Sequence, residues 1–257
     1  MTELLFFGTC SGTEPEVNRH HTSFAVAKNG RYYWFDAGEN CSYTAYLMGV
    51  DLTRIKSIFI SHSHMDHIGG LGNLLWNIRK LTTVGWDTPP DGKIDLFLPE
   101  LEVWNALHTM LTFTEGDFIC PFALDAHKVS AKVLFEDENI RVEAIPNHHL
   151  PERIAGEPRS YSYRITVDGK TIVYSGDVRD LDDVRVAVGA HCDILIMETG
   201  HHKVRDVCKF VSEENIDTLL FTHHGRYILD HYEHALADAK ECTKKVVFCD
   251  DQMHYPL

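Results

Sequence analysis

His62-Ser63-His64-Met65-Asp66-His67-Ile68-Gly69-Gly70 is the stretch on which the reading of this chain turns. Its imidazoles and carboxylate crowd into six residues, too tightly for one face of a regular helix or strand to present them all. A turn can aim such side chains at a common centre, and His with Asp is a first-row metal donor set, so the stretch predicts a metal-ligand loop. An apolar run at 55–60 precedes it, and helical periodicity at 71–81 follows the paired glycines. The order strand, loop, helix puts the ligands where a strand stops, the place where a rigid scaffold carries convergent groups.

Outward from that loop, other apolar runs also stop at His or Asp. Residues 140–145 lead to His148-His149, 171–174 to Ser175-Gly176-Asp177, and 218–221 to Thr222-His223-His224. Further runs at 4–7, 32–35, 94–98, 161–167 and 194–197 read as buried strands. Helical periodicity recurs at 101–113, 204–211 and 231–242. The alternation predicts sheets covered by helices, in an α+β chain read as one domain over 1–257 because no low-complexity linker or repeat divides it.

Composition narrows the function. With 257 residues, 44% of them apolar, the chain can bury a substantial core, which excludes disorder and a small disulfide scaffold. Lys plus Arg number 24 against 38 Asp plus Glu, a net charge of -14, and the basic pairs are scattered, so a large nucleic-acid footprint is disfavoured. No apolar run approaches the ~18 residues of a membrane helix, and no charged leader precedes residues 4–7; a soluble, cytoplasmic protein is expected. The 7 cysteines lack a Cys-x-x-Cys spacing and read as reduced, small core residues. Histidine stands out: 17 are present, with adjacent pairs at 20/21, 148/149, 201/202 and 223/224.

Several separated motifs agree in order with one family. Phe7-Gly8-Thr9, Arg19, Phe35-Asp36-Ala37-Gly38-Glu39, the His62–His67 loop with Gly69-Gly70-Leu71, Tyr174-Ser175-Gly176-Asp177, Glu198, and Thr222-His223 with Arg226-Tyr227 cover nearly the whole chain. Together they resemble the metallo-β-lactamase superfamily, and within it the ribonuclease Z branch. The resemblance implies an αββα four-layer sandwich carrying two metal ions. One ion would take His62, His64 and a histidine of the 148/149 pair; the other would take Asp66, His67 and His223, with Asp177 bridging. The family pattern of Pro, two residues, then His selects His149 in Pro146-Asn147-His148-His149 and leaves His148 beside it in support. The donor types favour two Zn2+, with Mn2+ or Fe as substitutes.

What the resemblance implies is a hydrolase in which a bridging water is the nucleophile. Asp66 would serve as both ligand and the carboxylate that orients or deprotonates that water. His201 or His202, in Glu198-Thr199-Gly200-His201-His202, would protonate the leaving group. Arg226 is a candidate contact for a substrate phosphate or a partner of surface carboxylates, His21 for the pocket, His224 for the pocket wall or for support of the ligands, and Asp36 for holding the ligand loop. No long Gly/Pro-rich insertion resembles the arm with which ribonuclease Z grips tRNA. With the acidic charge, that disfavours tRNA while leaving it open, and makes a small phosphodiester or similar ester at least as plausible a substrate. Carboxylic ester, thioester or lactone hydrolysis is the alternative, and a non-catalytic metal-bound binding protein the third reading. Apolar segments at 74–76 and 113–122 are compatible with a homodimer face.

Overall fold

The computed structural model describes residues 2–151 and 156–257, which gather into two compact units. The first comprises residues 2–8, Val17–Val129 and Asp251–Leu257; the second comprises Thr9–Glu16 and Ser130–Asp250. Each contains one seven-stranded sheet with helices.

In the first unit the strands are β1 (Glu3–Gly8), β2 (Ser23–Lys28), β3 (Arg31–Phe35), β4 (Ile55–Phe59), β5 (Lys93–Leu98) and β6 (Ala123–Lys128), with β14 (Met253–Pro256) on the β1 edge. β14, β1, β2 and β3 pair antiparallel, and β3 to β6 run parallel. One face carries an aromatic ladder in which Phe6, Phe24, Phe35, Phe59 and Phe97 stand opposite one another in register, their rings stacked at 5.0–5.6 Å. Such pairs add about 0.5–1.5 kcal/mol each beyond the area they bury. The other face, with Leu5, Phe7, Trp34, Ile58 and Leu96, belongs to a core shared with the helices α1 (Cys41–Leu47), α3 (Leu71–Thr83) and α4 (Leu101–Thr114). α3 buries Leu71, Leu74, Leu75 and Ile78, a stripe at helical spacing. The single-turn helix α2 (Met65–Ile68) lies inside the ligand loop.

The second unit orders its strands β13-β12-β11-β10-β9-β8-β7. They are β7 (Val133–Glu136), β8 (Ile140–Pro146), β9 (Tyr161–Val167), β10 (Lys170–Tyr174), β11 (Cys192–Thr199), β12 (Ile216–His224) and β13 (Lys245–Phe248). β7 to β10 pair antiparallel and β10 to β13 parallel, so Tyr174, Thr199 and His224 end neighbouring strands at the same edge. The helices are α5 (Leu181–Val188), α6 (Val204–Glu213), α7 (Arg226–Asp230) and α8 (Tyr232–Ala239). Val184, Val207, Phe210 and Ala235 pack with Val173, Leu195, Met197 and Phe221 of the sheet. α5 starts on an aspartate cap: the Asp180 carboxylate accepts the N–H groups of Asp182 and Asp183.

Each apolar run read as a strand is one, and the four helical periodicities fall on α3, α4, α6 and α8. The cysteines are free thiols, and burial pushes Cys41 and Cys192 up to about 12, which keeps them protonated and unreactive. Among the described residues no helix is long and apolar enough to cross a membrane.

Candidate metal-ligand clusters

In the first unit the ligand loop is built around Asp36. This residue leaves β3 in the left-handed region, at φ 53°, which turns its buried carboxylate back beneath the end of β4. There Ser61 donates its backbone N–H to Oδ1 at 2.6 Å and its hydroxyl to Oδ2 at 2.8 Å. His67 Nδ1 stands 2.8 Å from the same Oδ2. A carboxylate can only accept, so His67 carries its proton on Nδ1 and turns the Nε2 lone pair the other way, where Asp66 Oδ2 lies at 3.4 Å. The backbone fixes the loop as well: Ala37 N–H donates to the His67 carbonyl at 2.7 Å, and Gly70 N–H to the Ala37 carbonyl at 2.8 Å. A Cβ on Gly70 would lie 2.1 Å from the Gly38 carbonyl oxygen, so this approach requires glycine. The buried His62 ring meets His64 edge-on at 4.6 Å and His67 at 4.1 Å. His64 is exposed. His21 lies beside this loop, its Nδ1 3.7 Å from the Glu39 carboxylate.

The second unit gathers its cluster from strand ends. Asp177 follows β10 and is buried; His223 Nε2 lies 3.2 Å from its Oδ1, and His149 Nε2 lies 3.7 Å and His201 Nδ1 3.8 Å from its Oδ2. Beside it Glu198, fully buried at the end of β11, accepts the His201 backbone N–H at 2.8 Å and stands 3.1 Å from His201 Nδ1. His202 Nε2 donates to the Val178 carbonyl at 3.1 Å and lies 3.6 Å from Glu198.

The paired histidines divide. His148 has its Nδ1 and its backbone N–H both on Asp183, at 2.5 and 3.0 Å, and its side chain is 58% exposed, whereas His149 turns inward. Asn147 sets that turn, accepting the His149 N–H on Oδ1 while its Nδ2 donates to the Ser175 carbonyl two residues before Asp177. His223 sits at φ 51°, at the point where the β11–β12 register shifts, and that kink separates it from His224. The fully buried His224 ring lies between Thr199 Oγ1, 3.1 Å from Nδ1, and the Cys249 carbonyl, to which Nε2 donates at 2.8 Å. That placement corrects the expectation of a pocket contact: His224 holds strands together. The Arg226 guanidinium is engaged by the carboxylates of Glu14 and Glu16, with Asp230 at 3.9 Å.

These donors fit a divalent metal. Ligands ~2.0–2.1 Å from a tetrahedral ion stand roughly 3.3 Å apart, and the nitrogen-to-carboxylate separations around Asp177 run from 3.2 to 3.8 Å. The carboxylate behind His67 sets the tautomer that a metal-binding imidazole needs. Among the described residues, His62 with His64, Asp66 with His67, His149 with Asp177, and Asp177 with His223 offer donor atoms within 4.8 Å of each other. Sequence reasoning named Glu198 as a motif residue without assigning it a role, and assigned none to Ser61, Asn147 or Asp183. For Glu198 the signal was present in its spacing of three and four residues from His201 and His202.

Helix-backed mixed sheets with His and Asp at their strand ends define a metal-dependent hydrolase of the metallo-β-lactamase fold, ribonuclease Z-like in its motifs. The chain is 24% identical to ribonuclease Z of Methanothermobacter thermautotrophicus, over 87% of this chain and 86% of that protein. In structure it is similar to the metallo-β-lactamase fold protein YhfI of Bacillus subtilis, with a TM-score of 0.76 and 16% identity over 99% of this chain and 98% of that one. It is likewise similar to the short form of human tRNase Z, with a TM-score of 0.72 and 19% identity over 99% of this chain and 100% of that one. A family model described as anti-Pycsar protein Apyc1 matches residues 2–255, and the chain belongs to that family.

Proposed function

We propose that the chain is a dinuclear zinc phosphodiesterase acting on small phosphodiesters, with His62, His64, Asp66, His67, His149, Asp177 and His223 as ligands. The observation that carries this reading is the convergence of His149, His201 and His223 nitrogens on one buried carboxylate, Asp177. Imidazole with carboxylate is a donor mixture that suits zinc. When bound, the ions supply Lewis acidity, acidifying water and compensating phosphate charge.

The chain's own residues then divide the work. Asp66 orients the attacking water and takes its proton. Asp36 stays out of the chemistry and keeps His67 in the tautomer its ligand role needs. His201 is the better placed proton donor of the 201/202 pair. Its Nδ1 is anchored on Glu198 and its side chain is 46% exposed, so the ring is held in place within reach of solvent. His202 is held on the Val178 carbonyl. A net charge of -14 supports a small substrate over a polyanionic one.

The test is metal content together with turnover of bis(p-nitrophenyl) phosphate, comparing the wild type with Asp66→Ala. About two zinc ions per chain and turnover lost in the variant support the reading. Bound metal with turnover of p-nitrophenyl acetate or a lactone in place of the phosphodiester overturns the substrate class. Preference for a tRNA precursor over linear and cyclic dinucleotides overturns the size of the substrate, and failure to bind metal after reconstitution overturns the whole proposal.

A further inference from the structure

Three serines of the second unit, Ser160, Ser162 and Ser175, are buried with Asn147 at the ends of β8, β9 and β10, and the proposed chemistry uses none of them. Ser162 donates its hydroxyl to the Ser175 carbonyl at 2.6 Å and accepts Asn147 Nδ2 at 3.3 Å, while Ser160 donates to the Asn147 carbonyl at 3.2 Å. Asn147 in turn accepts the His149 N–H, so a continuous chain of hydrogen bonds runs from His149 to the Ser175 carbonyl. The Ser175 hydroxyl extends it with both of its capacities. Its single proton goes to the Gly176 carbonyl at 2.6 Å, across the turn at φ 55° that leads into Asp177. Its lone pair accepts the Glu198 backbone N–H at 3.1 Å. The β10–β11 ladder pairs Ile172 with Ile194 through Tyr174 with Ile196, and Ser175 donates its own N–H to the Ile196 carbonyl at 2.9 Å. Beyond that point the strands part, and the serine hydroxyl supplies the next rung.

We propose that Ser175 is a positioning residue for metal binding, whose hydroxyl sets the spacing of the Asp177 and Glu198 carboxylates; this rests on the metal-centre reading above and deepens it. Two imidazoles lie between those carboxylates. His201 Nδ1 stands 3.1 Å from Glu198 and 3.8 Å from Asp177, and His223 turns Nε2 to Asp177 at 3.2 Å and Nδ1 towards Glu198 at 3.9 Å. Asn147 serves His149 and Glu198 serves His201, each for its own residue. Ser175 is where those supports are registered against Asp177, through its carbonyl on one side and its hydroxyl on the other. A metal site tolerates only about 0.2 Å in its donor distances, so losing the rung between two donor-bearing strand ends weakens the metal rather than the fold alone.

The experiment measures zinc affinity of the whole protein by chelator competition, beside melting temperature and the visible absorption of the cobalt-loaded protein. It compares the wild type with Ser175→Ala and with Ser175→Cys, which keeps the side chain's size but replaces the hydroxyl with a weak donor and acceptor. Both variants should bind zinc about 10–100-fold more weakly than the wild type and shift the cobalt bands. Ser162→Ala, which leaves the Ser175 hydroxyl in place, should lose less. A wild type that binds no zinc overturns the metal-centre reading and this proposal with it. A wild type that binds zinc, with variants that melt lower yet bind it as tightly and keep the cobalt spectrum, overturns this proposal alone. If Ser175→Ala does not fold, Ser175→Cys decides; loss of the fold in both makes Ser175 a folding residue and likewise overturns the proposal.

Discussion

The two clusters of candidate metal donors are assembled in opposite ways. In the first unit the donors are contiguous in sequence, and one buried carboxylate, Asp36, holds both Ser61 and His67. In the second they arrive one per strand end, and the support is shared between Asn147 and Glu198. A contiguous cluster places its geometry in a single turn and a single brace. A dispersed one draws its geometry from parallel strands whose ends are already aligned by the sheet, so each brace corrects only its own residue.

That contrast can be broken by experiment. The largest effect should come from Asp66→Ala, which removes donor and proton acceptor together: turnover of bis(p-nitrophenyl) phosphate should fall about 10³-fold or more, and a fall under tenfold would take Asp66 out of the chemistry. Next, His201→Ala should lower kcat about 10²-fold with metal content unchanged, measured by steady-state kinetics beside elemental analysis. If metal is lost as well, His201 is a ligand rather than a proton donor. Asp36→Asn should weaken zinc affinity by about 10–100-fold in a chelator competition, because an amide can offer His67 only one acceptor atom and must place an N–H against Ser61. Glu198→Gln should cost less than Asp36→Asn; equal losses would erase the distinction between single and shared bracing. Gly200→Ala puts a Cβ 2.7 Å from His223 Nδ1, and the displaced ring should cost about 1–3 kcal/mol of stability by chemical denaturation. Smallest of all, Arg226→Ala should leave KM within about twofold, since it removes surface ion pairs. A tenfold rise would return Arg226 to the substrate.

The contrast also explains what could be read from residues alone. Runs such as those of β4, β9 and β12 are long, apolar and closed by polar loops, so their burial is written into composition. β2, with the alternating alanines of Ser23–Lys28, and α5, with the β-branched Val184, Val186 and Val188 in a helix, carry weak local signals that tertiary packing overrides. The His62–His67 loop stood out as a donor cluster because its histidines and Asp66 are neighbours in sequence. The choice between His223 and His224 was sharpened by family pattern, but the role of His224 depended on a register shift against β11 and on the Cys249 carbonyl, neither of which has a local signature. The partners of Arg226 had no local signature for a related reason: Glu14 and Glu16 lie more than two hundred residues earlier.

β14 pairs with β1, joining strands from opposite ends of the sequence. During synthesis the residues of β1, with Leu4, Leu5, Phe6 and Phe7 in succession, leave the ribosome long before the strand that flanks them exists. Until Met253–Pro256 emerges, one edge of that sheet offers open backbone donors and acceptors beside an apolar tetrapeptide, the combination that invites pairing with another chain. The nascent protein is therefore most exposed to aggregation in the interval after Phe59 and Phe97 have joined the ladder and before β14 is made, and deleting β14 would extend that interval indefinitely.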